Sequence, residues 1–322
     1  LFKMRSEFDF IYHIKKSYGL DRVGDDCAVL PKSDQADLLI TADMLVEDVD
    51  FRLGWTTPEF LGHKALAVSL SDIAAMGGRP TFAMLSLGVP ENLWSGEFLD
   101  TFYTGWHCLA REFGVELVGG DVSRVPDKLV IDSIVLGEAG RGRAIPRSGA
   151  KPGHKIYVSG RLGGAAGGLF LLESGNKHGQ ELSPVEQGLI ERQLRPRPRL
   201  DISDVIAKVG ASAMIDLSDG LSSDLAHICE ASKVGARIFY ERLPIDDRLG
   251  PVFDSDDRRL HFALDGGEDF ELLFTLDAEK ILPAGSGDLT CIGEITANSG
   301  KIELIRDGVA SEIKPKGYQH FR

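Results

Sequence analysis

The chain has 322 residues, 43% of them hydrophobic and 26% charged, a globular composition long enough for roughly two domains. With 49 acidic against 36 basic side chains its net charge is -13, so it lacks the basic face needed to displace the counterions of a nucleic acid, and no nucleic-acid partner is expected. Cys27, Cys108, Cys229 and Cys291 are widely spaced and form no C-x-x-C pair, which argues against a disulfide framework or a zinc site and points to a reducing, cytoplasmic setting. No charge-free run reaches the ~20 residues of a membrane span, and the opening residues lack the order of a signal peptide. Neither a membrane nor a secretion address is expected.

In chain order, the helical pattern at 6–17 is followed by a strand at 37–42 and a helix at 58–76. Strands are predicted at 81–89, 115–118 and 129–136, with a helix at 95–113 between the first two. A Gly-, Pro- and Arg-rich stretch, 141–155 (RGRAIPRSGAKPGHK), then interrupts the pattern and marks a division into 1–145 and 146–322. Beyond it come a strand at 155–159 and helices at 164–174, 185–193, 201–209 and 220–233. Strands at 236–240 and 270–275 follow. The fold class is α/β and α+β. The RPRPR run at 195–199 reads as a stiff extended connector rather than a ligand site.

Acidic residues recur where an apolar run meets a glycine turn: Asp25 and Asp26 in GDDCAVL, Asp43 after LLITA, Asp121 in LVGGD, Asp216 and Asp219 in IDLSDG, Glu268 and Asp269 in LDGGED. Strand ends feeding tight loops present side chains to ligands. Any one of them is equally ordinary turn or cap chemistry, but the recurrence at five places favours a site. Asp72 is sharper. Its helix opens with Thr57 as cap and Pro58 at the first position, and on a helical wheel Leu61, Ala65, Val68 and Asp72 lie within roughly 60° of one another. A carboxylate on an apolar stripe needs a cation, either a metal or a basic side chain.

Carboxylates without paired His or Cys ligands form hard-oxygen sites, and no EF-hand loop is present, so Mg2+ is expected rather than Ca2+ or zinc. Many carboxylates beside a polyphosphate require several metal ions, which points to phosphoryl transfer. Walker, Rossmann, protein-kinase, H-E-x-x-H and G-x-S-x-G signatures are absent. The run Gly163–Gly168 (GGAAGG) reads either as a phosphate cradle or as a close helix contact. Arg147 reads either as a phosphate clamp or as a solvated linker residue.

Taken together, GDDCAVL (24–30), TADMLVEDVDF (41–51), HKALAVSLSDIAAMG (63–77), LVGGD (117–121), RSGAKPG (147–153), IDLSDGLSSDL (215–225), LDGGEDFEL (264–272) and KGYQHF (316–321) resemble the thiamine-monophosphate kinase family of the aminoimidazole-ribonucleotide-synthetase-like superfamily. The resemblance implies ATP-dependent conversion of thiamine monophosphate to thiamine diphosphate with release of ADP. It also implies an N-terminal α/β domain that joins sheets into a barrel in a homodimer, and a C-terminal α+β domain that completes the cleft. By motif, it implies that Asp26, Thr41, Ala42 (through its carbonyl), Asp43, Asp72, Asp121, Asp216 and Asp219 hold Mg2+. Gly120, Asp121, Arg147 and Ser218 would meet ATP, and Asp50, Glu268 and Tyr318 the acceptor. Asp50 stands where many relatives carry His. No nucleophile is implied, because the acceptor phosphate is already anionic. A selenophosphate synthetase would need a reactive cysteine near the N-terminus, whereas Cys27 reads as a packed side chain. The same acidic motifs would also suit an aminoimidazole ribonucleotide synthetase, or a catalytically silent scaffold that metal stabilises.

Overall fold

The structure, a computed structural model, describes residues 7–20, 22–176, 178–179, 181–283, 285 and 288–321. Residue 6 of the predicted first helix lies outside them. The first half runs α1 (Glu7–Tyr18), β1 (Ala28–Pro31), β2 (Ala36–Val46), α2 (Pro58–Ala75), β3 (Arg79–Pro90), α3 (Glu91–Trp94), α4 (Phe98–Phe113), β4 (Glu116–Val125) and β5 (Val130–Gly140). Its sheet has the order β1-β2-β5-β3-β4, antiparallel except for the β3/β4 pair, which the α3–α4 crossover makes parallel. Odd-numbered residues of β2, β3 and β5, among them Leu39, Leu85 and Ile131, are buried in the core that α2 and α4 share with the sheet. Even-numbered Met44 and Phe82 are 60% and 40% exposed on the opposite face. The sheet is open within one chain and does not close into a barrel by itself.

The second half runs β6 (Lys155–Ser159), α5 (Gly164–Glu173), α6 (Pro184–Leu194), α7 (Leu200–Val209), β7 (Ala213–Asp216), α8 (Leu221–Ser232), β8 (Gly235–Phe239), α9 (Asp256–Asp265), β9 (Leu272–Leu276), β10 (Leu289–Thr296), β11 (Ile302–Arg306) and β12 (Val309–Glu312). Its seven-stranded sheet is ordered β12-β11-β8-β10-β6-β9-β7. The long predicted elements recur within a few residues of their expected limits. The predicted helix 95–113 starts later, at Phe98, with Gly96 at φ +124° separating it from α3, and the predicted strand 115–118 continues to Val125. β1, β7 and β12, four residues each, are too short for a period to show, and β10, β11 and the polar helix α9 are not among the predicted elements.

α2 places the site. The Thr57 hydroxyl accepts from the Phe60 amide at 3.2 Å, and Pro58 opens the helix. The single apolar stripe expected for α2 is too narrow a description. Residues on nearly all its sides are buried, because α2 packs on the first sheet and α4 while its end, Ala74 and Ala75, enters a cluster with Ile202, Ile206, Met214 and Phe274 of the second half. A helix covered on all sides needs no polar face. The packing is close at the α2/α4 crossing. A Cβ on Gly62 would lie 1.9 Å from the Phe102 carbonyl oxygen, and one on Gly105 1.8 Å from that of Glu59.

Candidate active site

Three separated segments deliver the central carboxylates. Asp26 precedes β1, Asp72 occupies the last turn of α2, and Asp216 ends β7 in the other sheet. One oxygen from each lies within 4.8 Å of the others. The Ser71 hydroxyl donates to Asp216 Oδ2 at 2.6 Å, the Thr41 hydroxyl to Asp72, and Arg147 Nη2 to Asp26 Oδ1 at 2.7 Å. Asp43 follows Thr41 on the same face of β2, and the buried oxygens Asp26 Oδ2 and Asp43 Oδ2 have no partner. Because β1 ends opposite Ile40, no strand among the described residues flanks that side of β2 from Thr41 onward. Main-chain groups near Ala42 are open there.

Burial first, then mutual repulsion, raises these acids. Asp216 is pushed to about 8 by desolvation and Asp26, and Asp43 to about 6 by desolvation with Asp132 and Asp26 adding. Asp72 is driven well above the carboxylate range by desolvation and by Asp43, Asp216 and Asp26. Asp26 is raised by burial despite Arg147. One guanidinium cannot neutralise four converging carboxylates. Orphaned hard oxygens around one centre fit Mg2+. Arg147 is mostly buried, its side chain 23% exposed, and its Nε is a donor without a partner. It is no solvated linker residue.

The cluster adjoins a cleft of about 820 Å³ between the two halves, into which Asp43, Asp50, Ser218, Asp219, Glu268 and Tyr318 all face. Asp50 Oδ2 accepts from the Val46 amide at 2.8 Å, and burial raises its pKa. Asp219 is pushed to about 6, by burial first, and its carbonyl receives the Tyr318 amide at 3.2 Å, which pins the C-terminal tail over the cleft. Tyr318 is 45% exposed, with its hydroxyl 3.4 Å from His320 Nδ1.

Gly120 and Asp121 stand elsewhere within one chain. They lie on the exposed strand β4, at the same level as Asp43 by the register Asp43–Ser133–Leu85–Gly120. Three strand spacings separate them, about 14 Å. Gly120 is required by packing, since a Cβ would lie 1.9 Å from the Leu85 carbonyl oxygen.

The Gly163–Gly168 run is a close helix contact and not a phosphate cradle. The start of α5 is already taken by Asp269, whose oxygens accept from the Gly163 and Ala165 amides at 2.5 and 3.1 Å. A Cβ on Gly168 would meet the Leu189 carbonyl oxygen at 2.1 Å. RPRPR is the irregular connector between α6 and α7, held by His63 on the Pro196 carbonyl at 2.7 Å and by Arg199 on Glu271 at 2.6 Å. Cys27 is buried, and its thiol is pushed up by burial and the surrounding aspartates, the reverse of a reactive thiolate.

Residues 24–139 match the family described as AIR synthase related protein, N-terminal domain, and residues 151–304 match its C-terminal domain. Curated thiamine-monophosphate kinases are similar throughout. The one from Salmonella typhimurium is 40% identical over 93% of this chain and 91% of its own length. The one from Bacillus subtilis is 38% identical over 97% and 96%. This chain belongs to the thiamine-monophosphate kinase family. The solved structure described as AaThiL complexed with AMPPCP and TMP superposes with a TM-score of 0.90 at 36% identity over the whole of both chains. The hydrogenase maturation protein HypE in complex with ATP shares the fold alone, at 19% identity and a TM-score of 0.68.

Two groupings involve residues that the sequence did not single out: Asp224 and His227, and Lys64. Asp219, Asp224 and His227 form a second cluster with ligand atoms within 4.8 Å of one another. Lys64, on α2, faces the cleft and pairs with Glu268 at 2.7 Å. The one signal for Lys64 is the same as for Asp72, a charge set among apolar neighbours on a helix.

Proposed function

We propose that this chain transfers the γ-phosphoryl group of ATP directly to the phosphate of thiamine monophosphate, giving thiamine diphosphate and ADP. The observation that carries the reading is the meeting of Asp26, Asp72 and Asp216 from three segments, with orphaned buried oxygens, beside a cleft that Asp43, Asp50, Asp219 and Glu268 line. Asp26, Thr41, the Ala42 carbonyl, Asp43, Asp72, Asp216 and Asp219 would hold Mg2+, and bound metal would neutralise the charge of the phosphates. Arg147, anchored on Asp26, has an unpartnered Nε–H with which to hold a phosphate oxygen, and Ser218 lines the cleft. Asp50 and Glu268 suit a cationic thiazolium, over which the Tyr318 ring can pack. Phosphate oxygen is nucleophilic enough near pH 7 that the protein need only align it with the γ-phosphorus and exclude water.

The reading includes two domains divided near residue 145 and a homodimer formed through the outer face of the first sheet, where Met44 and Phe82 are exposed. Gly120 and Asp121 belong to that exposed region and would act with nucleotide and metal there. Four free cysteines agree with a reducing, cytoplasmic setting, and no helix among the described residues is long and apolar enough to cross a membrane. A coupled ADP-release assay tests the activity: release should require both Mg2+ and thiamine monophosphate. Release independent of the acceptor would defeat the reading.

A further inference from the structure

α2 buries a lysine against the cleft. The Lys64 side chain is 4% exposed, and its ammonium lies 2.7 Å from Glu268 Oε1 and donates to the Gln193 carbonyl at 3.4 Å. The Gln193 amide donates to the other Glu268 oxygen, and Gln193 Oε1 is buried without a partner. Glu268 itself is held at φ +64°, a left-handed conformation that side chains other than Gly, Asn and Asp adopt at a cost. Taking an ammonium out of water is expensive, and an apolar contact would join α2 to the neighbouring loop at least as well. What an ion pair supplies, and an apolar contact does not, is one positive and one negative group facing the same cavity. The other lysine and arginine side chains facing it are placed differently. Arg52 lies 4.3 Å over the Trp55 ring, and Lys316 belongs to the exposed tail.

Thiamine monophosphate, the acceptor in the function proposed above on which this inference rests, is itself a pair of opposite charges, a thiazolium cation and a phosphate. We propose that the Lys64–Glu268 ion pair is an exchangeable recognition device for this zwitterion. When the acceptor enters, Glu268 turns to the cationic ring and the Lys64 ammonium to the phosphate, so one internal pair becomes two pairs with substrate. Lys64 is thus a substrate-binding and positioning residue on the same helix as Asp72, about 12 Å away along its axis. While closed, the pair screens Glu268. A ligand that carries the cation without the phosphate must break the pair and leave Lys64 unpaired, so free thiamine is disfavoured.

ADP release by the unaltered chain on thiamine monophosphate is measured first, and its absence overturns the kinase reading itself. With that activity present, calorimetric titrations with thiamine and with thiamine monophosphate, together with steady-state kinetics, compare the unaltered chain with Lys64→Met and Lys64→Arg. Lys64→Met should weaken thiamine monophosphate by roughly 10- to 150-fold, the span of one charge-assisted hydrogen bond, in KM more than in kcat. It should leave free thiamine binding unchanged or tighter, because Glu268 loses its competitor. Lys64→Arg should restore most of the loss. Equal weakening of both ligands would show a purely structural latch, and unchanged binding of thiamine monophosphate would show no role; either overturns the proposal. If Lys64→Met does not fold, the double variant Lys64→Met, Glu268→Gln, which leaves no charge unpaired, carries the test. Thiamine monophosphate should then weaken more than free thiamine, which loses Glu268 but no longer has to break the pair; equal weakening of the two, or thiamine monophosphate at unaltered affinity, would overturn the exchange.

Discussion

Asp216 and Asp72 show what burial does to an acid that lacks a cation. Both are held above the ordinary 3.8, Asp216 to about 8. Between the ordinary and the raised value the folded chain keeps protons that the unfolded chain releases, so stability falls as pH rises through that window. The metal-free chain should therefore lose roughly 3 °C in Tm between pH 5.5 and 8.5, which corresponds to about 2 kcal/mol for a chain of this size. Mg2+ competes with those protons, so added Mg2+ should raise Tm more at the higher pH. Asp72→Asn should flatten the pH dependence, raise the metal-free Tm and abolish Mg2+-dependent ADP release. Thermal melts across pH with and without Mg2+ provide the check, and a pH-independent Tm would contradict the account. The same logic separates Cys27 from catalysis. Its neighbours are carboxylates and its surroundings dry, so the thiol stays protonated.

At the scale of elements, α2 joins the two chemistries of the site. It carries Lys64 toward the cleft and Asp72 into the carboxylate cluster, and its position depends on two glycines. Gly62 and Gly105 let the α2 and α4 backbones approach to where a Cβ on either would overlap a carbonyl oxygen of the other helix. Gly62→Ala should cost about 1–3 kcal/mol, as overpacking does, by pushing α2 outward. Because Lys64 and Asp72 move with the helix, turnover should fall further than the loss of folded protein explains. Denaturant melts paired with kcat on the folded fraction would measure both, and a stable variant with unchanged kcat would show that the helix position is not critical. The start of α5 makes a related point. A glycine-rich helix start resembles a phosphate site only until the residue that occupies it is known, and here the Asp269 carboxylate takes the free amides.

At the scale of the molecule, the two sheets are not equivalent. The second sheet has buried strands such as β7 and β9. The first has one face under α2 and α4 and an outer face bearing Met44 and Phe82, beside the exposed strand β4. Exposed large apolar side chains on a sheet face mark an interaction surface. Under the proposed homodimer, Met44→Glu, on the part of β2 that no described strand flanks and beside the cleft, should leave only monomer in sedimentation velocity while leaving the far-UV circular dichroism of the chain unchanged. A dimer that survived this substitution would place the interface elsewhere. Glu271 braces the second half internally. It receives Arg192 at 3.0 Å and Arg199 at 2.6 Å and so ties the RPRPR connector, which runs beside α2, to the second sheet.

By itself, the sequence determined the long elements, because α4, β3 and β5 repeat their apolar residues at periods that local geometry fixes and α2 is a long apolar run between the Thr57–Pro58 start and the Gly77–Gly78 stop. It also determined the chemical type of the site, because Asp26, Asp43, Asp72 and Asp216 carry hard oxygen donors wherever they end up. Short strands such as β7 and β12 have too few residues for a period to show, and their identity comes from pairing across the sheet. Which acids converge, and that Gly120 and Asp121 stand three strands away within one chain, was decided only by tertiary structure. The same holds for Lys64, whose ammonium could be recognised as buried from its apolar helix, but whose partner, Glu268, lies 204 positions further along the chain. Charge pairing is a matter of ångströms in space, and sequence separation carries no information about that distance until the two halves pack around α2.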